Sequence, residues 1–121
     1  MKNILLATVL GLSFLGLKAQ KNDKYQTVEI QTSAICEMCQ YAIEKEMALE
    51  KGVKSSSLNL DNKVLTVKYN SKKTDSDKVR KRVSLTGYHA DDVERDPEAY
   101  ENLPLCCKDG AHADDDEHHQ E

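Results

Sequence analysis

Four cysteines carry the reactive chemistry of this 121-residue chain, and they come as two close pairs, Cys36 with Cys39 and Cys106 with Cys107. A spacing of three lets both sulfurs of the first pair turn toward one point on a helical turn, as a soft metal ion requires. The same spacing also serves a redox dithiol or a structural disulfide, so three readings stand open. Met38, between the first two cysteines, offers a thioether. The second pair is followed by a polar tail with His112, His118, His119 and the run Asp114, Asp115 and Asp116. That tail has the side chains for a weak, exchangeable Zn(II), Cu(II) or Ni(II) site.

The elements around the first pair determine what its thiols can do. Residues 25–32 alternate, with Val28 and Ile30 on one face, and read as a strand. Ser33, Ala34 and Ile35 form a loop. Glu37 to Lys51 reads as a helix, with Ile43 and Met47 sharing a face with Cys39 and with Glu44, Lys45, Glu46 and Glu50 toward water. The pair therefore sits where a loop enters a helix. There, unpaired backbone N–H groups and the helix dipole favour negative charge, and thiolate is the form that binds metal or attacks disulfides.

The N-terminus reads as a secretory signal: Lys2, an apolar run from Ile4 to Leu17, then Leu17, Lys18 and Ala19 before a cut ahead of Gln20. The run is about 14 residues, short of the roughly 20 that span a bilayer. No cysteine follows the cut to take a lipid. Cleavage of residues 1–19 removes Lys2 and Lys18, which takes the formal net charge from −4 to −6. The expected location is periplasmic or extracellular, as a soluble protein. An acidic exported chain without a basic stripe is a poor candidate for nucleic acid. In an oxidising compartment thiols tend to pair, yet cross-linking sequence neighbours closes almost no loop, so the spacing is not that of stabilising staples.

Beyond the first helix, Gly52 is placed to stop it. Val53 to Leu60 reads as a strand with Leu58 and Leu60 inward. Asp61 and Asn62 signal a tight turn, and Lys63 to Tyr69 returns with Leu65, Val67 and Tyr69 on one face. Thr74, with Asp77 three on, resembles a helix cap and its partner. The second helix buries Val79 and Val83 and stops at Gly87. Its basic cluster of Lys78, Arg80, Lys81 and Arg82 reads as a solvated helix face. Tyr88 to Val93 completes the series as a short last strand, in which Asp91 and Asp92 would point to opposite faces. This order predicts an α+β fold, ferredoxin-like βαββαβ, with a four-stranded antiparallel sheet and two helices on one face. The domain limits expected are a cleaved signal at 1–19, a lead-in at 20–24, a domain at 25–93, and a C-terminal extension at 94–121. In the extension Asp96 and Pro97 open a short helix, followed by the Cys-Cys pair and the acidic, histidine-containing tail.

Cys36 and Cys39 at a strand-to-helix loop, Ile43, Glu44 and Lys45, Gly52 with Val53, the hairpin, and Gly87 with Tyr88 together resemble the heavy-metal-associated domain over about residues 26–93. That family includes copper chaperones, N-terminal modules of metal-pumping ATPases and the periplasmic mercury-binding protein. The resemblance implies one soft ion, Cu(I) most often with Hg(II) or Zn(II) as options, held by Cys36 and Cys39 and passed on by ligand exchange. It implies a membrane metal transporter or another metallochaperone as partner, a monomer with a metal-bridged dimer as the alternative, and no bond-making catalysis. The family loop usually reads Gly-Met-Thr-Cys, whereas here it is Ser33, Ala34, Ile35 and Cys36. Tyr88 matches the position where bacterial copper chaperones place a tyrosine near the metal.

Context weighs metal against redox. A thioredoxin-type dithiol has an aromatic before its first cysteine and a proline within the pair, whereas this chain has Ile35 before and Glu37 and Met38 between. A Glu37 at the buried edge of the thiols would raise their pKa, which does not suit a strong oxidant. The alternative kept is a periplasmic thiol-disulfide oxidoreductase with Cys36 as nucleophile. Cys106, Cys107, His118 and His119 form a candidate second ligand set, which either folds over the first site or takes metal with the tail. Tyr88 and Met38 are expected near the site, and His89 at the surface. No Ser/His/Asp set, phosphate loop or catalytic carboxylate pair appears in the sequence, so no enzyme is expected.

Overall fold

A computed structural model of the protein describes residues 24–109. The expected signal at 1–19, most of the expected lead-in, and the tail with His112, Asp114 to Asp116, His118 and His119 lie outside the described residues. The chain runs β1 (Tyr25–Gln31), α1 (Glu37–Leu49), β2 (Val53–Asn59), β3 (Val64–Asn70), α2 (Ser76–Leu85) and α3 (Pro97–Glu101), and then a 3-10 turn at Leu105–Cys107. The fold is α+β. None of the helices among the described residues is long and apolar enough to cross a membrane.

Alternation in the strands sets the register. β3 lies between β1 and β2, antiparallel to both. Ile30 and Leu58 both pair with Leu65, so three buried side chains form one row across the sheet. Val67 and Tyr69 extend that face along β3. It joins Cys39, Ile43 and Met47 of α1 and Val79 and Val83 of α2 in a single core. β2 contributes only Leu58 as a buried residue, because its serines dilute the pattern. A salt bridge from Arg82 to Glu46, at 2.6 Å, ties α2 to α1.

Three expectations are corrected. The last strand does not form among the described residues: Ala90 makes isolated bridges to Thr32 and Val93 instead. Ala90 and Val93 exchange backbone hydrogen bonds of 3.0 and 2.9 Å, so the chain turns back within four residues. Asp91 sits there with φ +52°, its carboxylate accepting from the Gln31 N–H and pairing with Arg80 at 2.8 Å. It thus occupies the edge of β1 where a fourth strand would run, and Asp91 and Asp92 do not alternate across a sheet. The cap of α2 is Asp75, which accepts from the Lys78 N–H at 2.9 Å, not Thr74, whose buried hydroxyl makes no hydrogen bond. Arg80, read as part of a solvated face, is ion-paired with Asp77 and Asp91.

The extension is folded back onto the domain. α3 is capped by Asp96, which accepts from Ala99 N–H at 2.9 Å, and starts on Pro97. The Asp96 N–H donates to the Ser84 carbonyl, and the Ser84 hydroxyl donates to the Glu94 carbonyl. Gly87, at φ +102°, ends α2, and a Cβ there would lie 3.1 Å from both the Ala99 carbonyl carbon and Leu103 Cδ1. Gly87→Ala is therefore expected to cost ~1–3 kcal/mol through its left-handed backbone, with further loss from lifting α3. Chemical denaturation compared with Ser71→Ala, a change on an exposed turn, measures it, and equal stabilities would refute the role given to Gly87.

Candidate metal centre

The approach to the first thiol is built by hydrogen bonds rather than by apolar bulk. The Thr32 hydroxyl donates to the Lys63 carbonyl at 2.8 Å and accepts from the Ala34 N–H at 3.3 Å. The Ser33 hydroxyl accepts from the His89 N–H at 2.9 Å. Ala34 is fully buried and Ile35 packs against the core. Cys36 then takes the N-cap position of α1 in extended backbone (φ −147°), and its carbonyl accepts the Gln40 N–H. Its side chain makes no capping bond, which leaves the sulfur to its neighbours. Cys39, in the first turn, is fully buried, whereas Cys36 is half-buried.

The two sulfurs stand 3.1 Å apart. The 3-10 turn of the extension packs against α1 and brings the second pair to them. Cys36 Sγ lies 3.6 Å from Cys107 Sγ, and Cys107 Sγ lies 3.9 Å from Cys106 Sγ. The sulfurs of Cys36, Cys106 and Cys107 all lie within 4.8 Å of one another. Cys106 Sγ donates to the Met38 thioether at 3.4 Å. None of these separations is the roughly 2.0 Å of a disulfide bond. Cys36 thus belongs both to this group of three sulfurs and to the close pair with Cys39, and with the Met38 thioether at the rim the ligands suit a soft ion.

Tyr88 closes the floor. It is 1% exposed, and its hydroxyl makes no hydrogen bond. The groups that act on that hydroxyl are Cys39 and Cys107. Burial pushes the Tyr88 phenol far above its ordinary range, and the two cysteines add to the shift. Burial likewise pushes the Cys107 thiol up, reinforced by Cys39 and Cys36 and opposed by the Tyr88 hydroxyl. Both groups are neutral at ordinary pH.

The structure brings Cys36, Cys39, Cys106, Cys107, Tyr88 and Met38 together. Glu37 is exposed rather than at a buried edge, so it does not act on the thiols as a desolvated carboxylate. His89 is half-buried, and its Nδ1 accepts from the Arg95 N–H at 3.2 Å, which engages it with the extension. His118 and His119 are not among the described residues. What the sequence did not settle was the meeting of the two cysteine pairs. The signals available for it were the Asp96 cap and the break at Pro104, which confine the extension to a short return path.

An α+β domain with a dithiol at the N-terminus of its first helix defines the class to which this site belongs. Residues 33–89 match the model of the heavy-metal-associated domain, and over that span the chain is a domain of that family. Among solved structures it is similar to the CopZ metallochaperone (23% identity over 54% of this chain and 98% of that one, TM-score 0.52). It is similar also to oxidized MerP from Ralstonia metallidurans CH34 (22% identity over 55% and 93%, TM-score 0.52). A third likeness is to the N-terminal domain of a potential copper-translocating P-type ATPase from Bacillus subtilis in the Cu(I)-loaded state (25% identity over 55% and 85%, TM-score 0.53). No curated protein matches the sequence. The matched span ends at residue 89, so Cys106 and Cys107 lie beyond it.

Neutral burial of Cys107 and Tyr88 has a pH consequence. Their folded pKa values exceed the unfolded 9.0 and 10.0. The stability they contribute is therefore complete below pH 9 and is lost as pH rises above it. The urea midpoint of the reduced, metal-free protein should fall from pH 9 to 10.5, and less steeply in Cys107→Ala. A midpoint constant over that range would contradict the neutral burial of both groups.

Proposed function

We propose that the protein is an exported carrier, chaperone or scavenger of a soft heavy-metal ion, with Cys36 and Cys39 as its primary ligands. Cu(I) is the foremost candidate, and Hg(II) and Zn(II) are the others. The observation that carries this reading is the 3.1 Å approach of two sulfurs at the N-terminus of α1, with Cys36 half-buried and so open to exchange. A helix N-terminus favours negative charge, and the ion supplies the balancing positive charge. The ion is cargo, held by thiolates and released to other thiolates, and no bond-making step is assigned to the protein. The family match supports metal carriage, and the Cu(I)-loaded ATPase domain from Bacillus subtilis supports copper as the first ion to test.

In this reading residues 1–19 direct export and are removed, and the mature protein works as a soluble monomer in the periplasm or outside the cell. Its partner is a membrane metal transporter or another metallochaperone. The oxidoreductase alternative has less support. The chain lacks the aromatic before the first cysteine and the proline within the pair that a thioredoxin-type dithiol has, and residues 33–89 match the heavy-metal-associated domain instead.

Binding releases protons, because the ligands must be thiolates, so affinity should rise with pH across the neutral range. Under reducing conditions the Cys36→Ser/Cys39→Ser variant should lose stoichiometric Cu(I) and Hg(II) in native mass spectrometry, with the fold retained by circular dichroism. One equivalent bound as tightly as in the wild type would remove this function.

A further inference from the structure

We infer that the C-terminal extension is a clasp, in which Cys107 and Cys106 complete a closed site of three or four sulfurs around the ion that Cys36 and Cys39 bind; this rests on the function proposed above. The two added ligands come from outside the family-matched span. Their placement is built into the fold. Cys107 is 3% exposed and belongs to the core, and its N–H donates to the Pro104 carbonyl at 2.9 Å. The segment leading to it is held at several points. Arg95 pairs with Asp109 at 2.7 Å and stacks on the Tyr100 ring at 3.6 Å, while the Tyr100 hydroxyl accepts the Asp109 N–H. Leu103 packs against the core over Gly87.

Distance decides which coordination the cluster suits. With metal–sulfur bonds of about 2.3 Å, a linear two-sulfur site needs its sulfurs about 4.6 Å apart, whereas a tetrahedral one needs about 3.8 Å and a trigonal one about 4.0 Å. Cys36 to Cys107 is 3.6 Å and Cys107 to Cys106 is 3.9 Å. Cys36 and Cys39, at 3.1 Å, must spread for any ion, and they spread far less for a site of three or four sulfurs than for a linear one. The half-buried Cys36 and Cys106 leave a way in for the ion, while Cys39 and Cys107 form its buried side.

The clasp changes what the protein does with its cargo. Cys107 fills the coordination position that an incoming thiol would otherwise take. Transfer therefore requires the extension to give way first, and the protein retains its ion against small thiols. A partner that displaces the extension would unlock release.

The full reduced protein loaded with one equivalent of Cu(I) tests this by X-ray absorption and by chelator competition. Three or more sulfurs are expected in the wild type and two in Cys106→Ser/Cys107→Ser. Affinity in that variant should fall by at least roughly 100-fold, since loss of outer-sphere partners alone already costs about 10–100-fold. Loss of copper to glutathione should be faster as well. A count of two sulfurs in the wild type overturns the clasp, whatever the variant does, and so does a variant with unchanged affinity and sulfur count. Should the double variant misfold, Cys106→Ser and Cys107→Ser singly carry the same expectations, with Cys107→Ser the weaker binder. Failure of the clasp alone leaves binding by the wild type intact and still abolished by Cys36→Ser/Cys39→Ser. Failure of the function itself shows as binding that survives that change.

Discussion

Mutual repulsion among packed thiolates is the constraint around which the site is arranged. Two unit negative charges 3.6 Å apart, the Cys36 to Cys107 distance, repel by on the order of 4 kcal/mol even at an effective dielectric of 20. Burial and the neighbouring sulfurs push the Cys107 thiol up, so that member stays neutral at ordinary pH. A soft cation relieves the repulsion differently, by placing positive charge among the sulfurs and drawing the protons off. Bare thiolates side by side at these distances are costly, and a cation among them removes that cost. Occupancy and protonation exclude one another, and pH becomes a lever on metal release.

The domain supplies one half of that cluster through strictly local means. Cys36 is presented by an extended N-cap and Cys39 by the first helical turn, three residues on. This half was legible in the sequence because period and spacing are local properties: Cys39, Ile43 and Met47 recur on one helical face, and all three are buried. Val79 and Val83 of α2, and Leu65, Val67 and Tyr69 of β3, were legible for the same reason.

The misreadings share a different cause. Tyr88 to Val93 has the apolar alternation of a strand, but pairing depends on what Asp91 finds in space. Its carboxylate meets the Gln31 N–H and the Arg80 guanidinium, and the resulting turn forecloses the strand. Thr74 and Asp75 are both capping residues, and only the tertiary packing of Thr74 against Gly52 leaves the cap to Asp75. The direction taken by the extension was equally hidden. It follows from the bare Cα of Gly87, which admits Ala99 and Leu103, and from a Ser84 hydroxyl bond to Glu94, all of them long-range contacts.

These two halves differ in how they are held, and the difference bears on mechanism. Cys36 and Cys39 belong to an element that cannot leave without unfolding the core, since α1 also carries Ile43 and Met47. Cys106 and Cys107 ride on a three-residue turn after a five-residue helix that buries no residue of its own. The extension is retained by a salt bridge and a cation–π contact, each worth little against solvent, and by the packing of Leu103 and Cys107. Opening it therefore costs far less than opening the domain. A metal ion bridging both halves adds its bond energy to that weak attachment. The ion and the extension therefore stabilise one another: the ion holds the clasp shut, and whatever lifts the clasp weakens the hold on the ion by the same free energy.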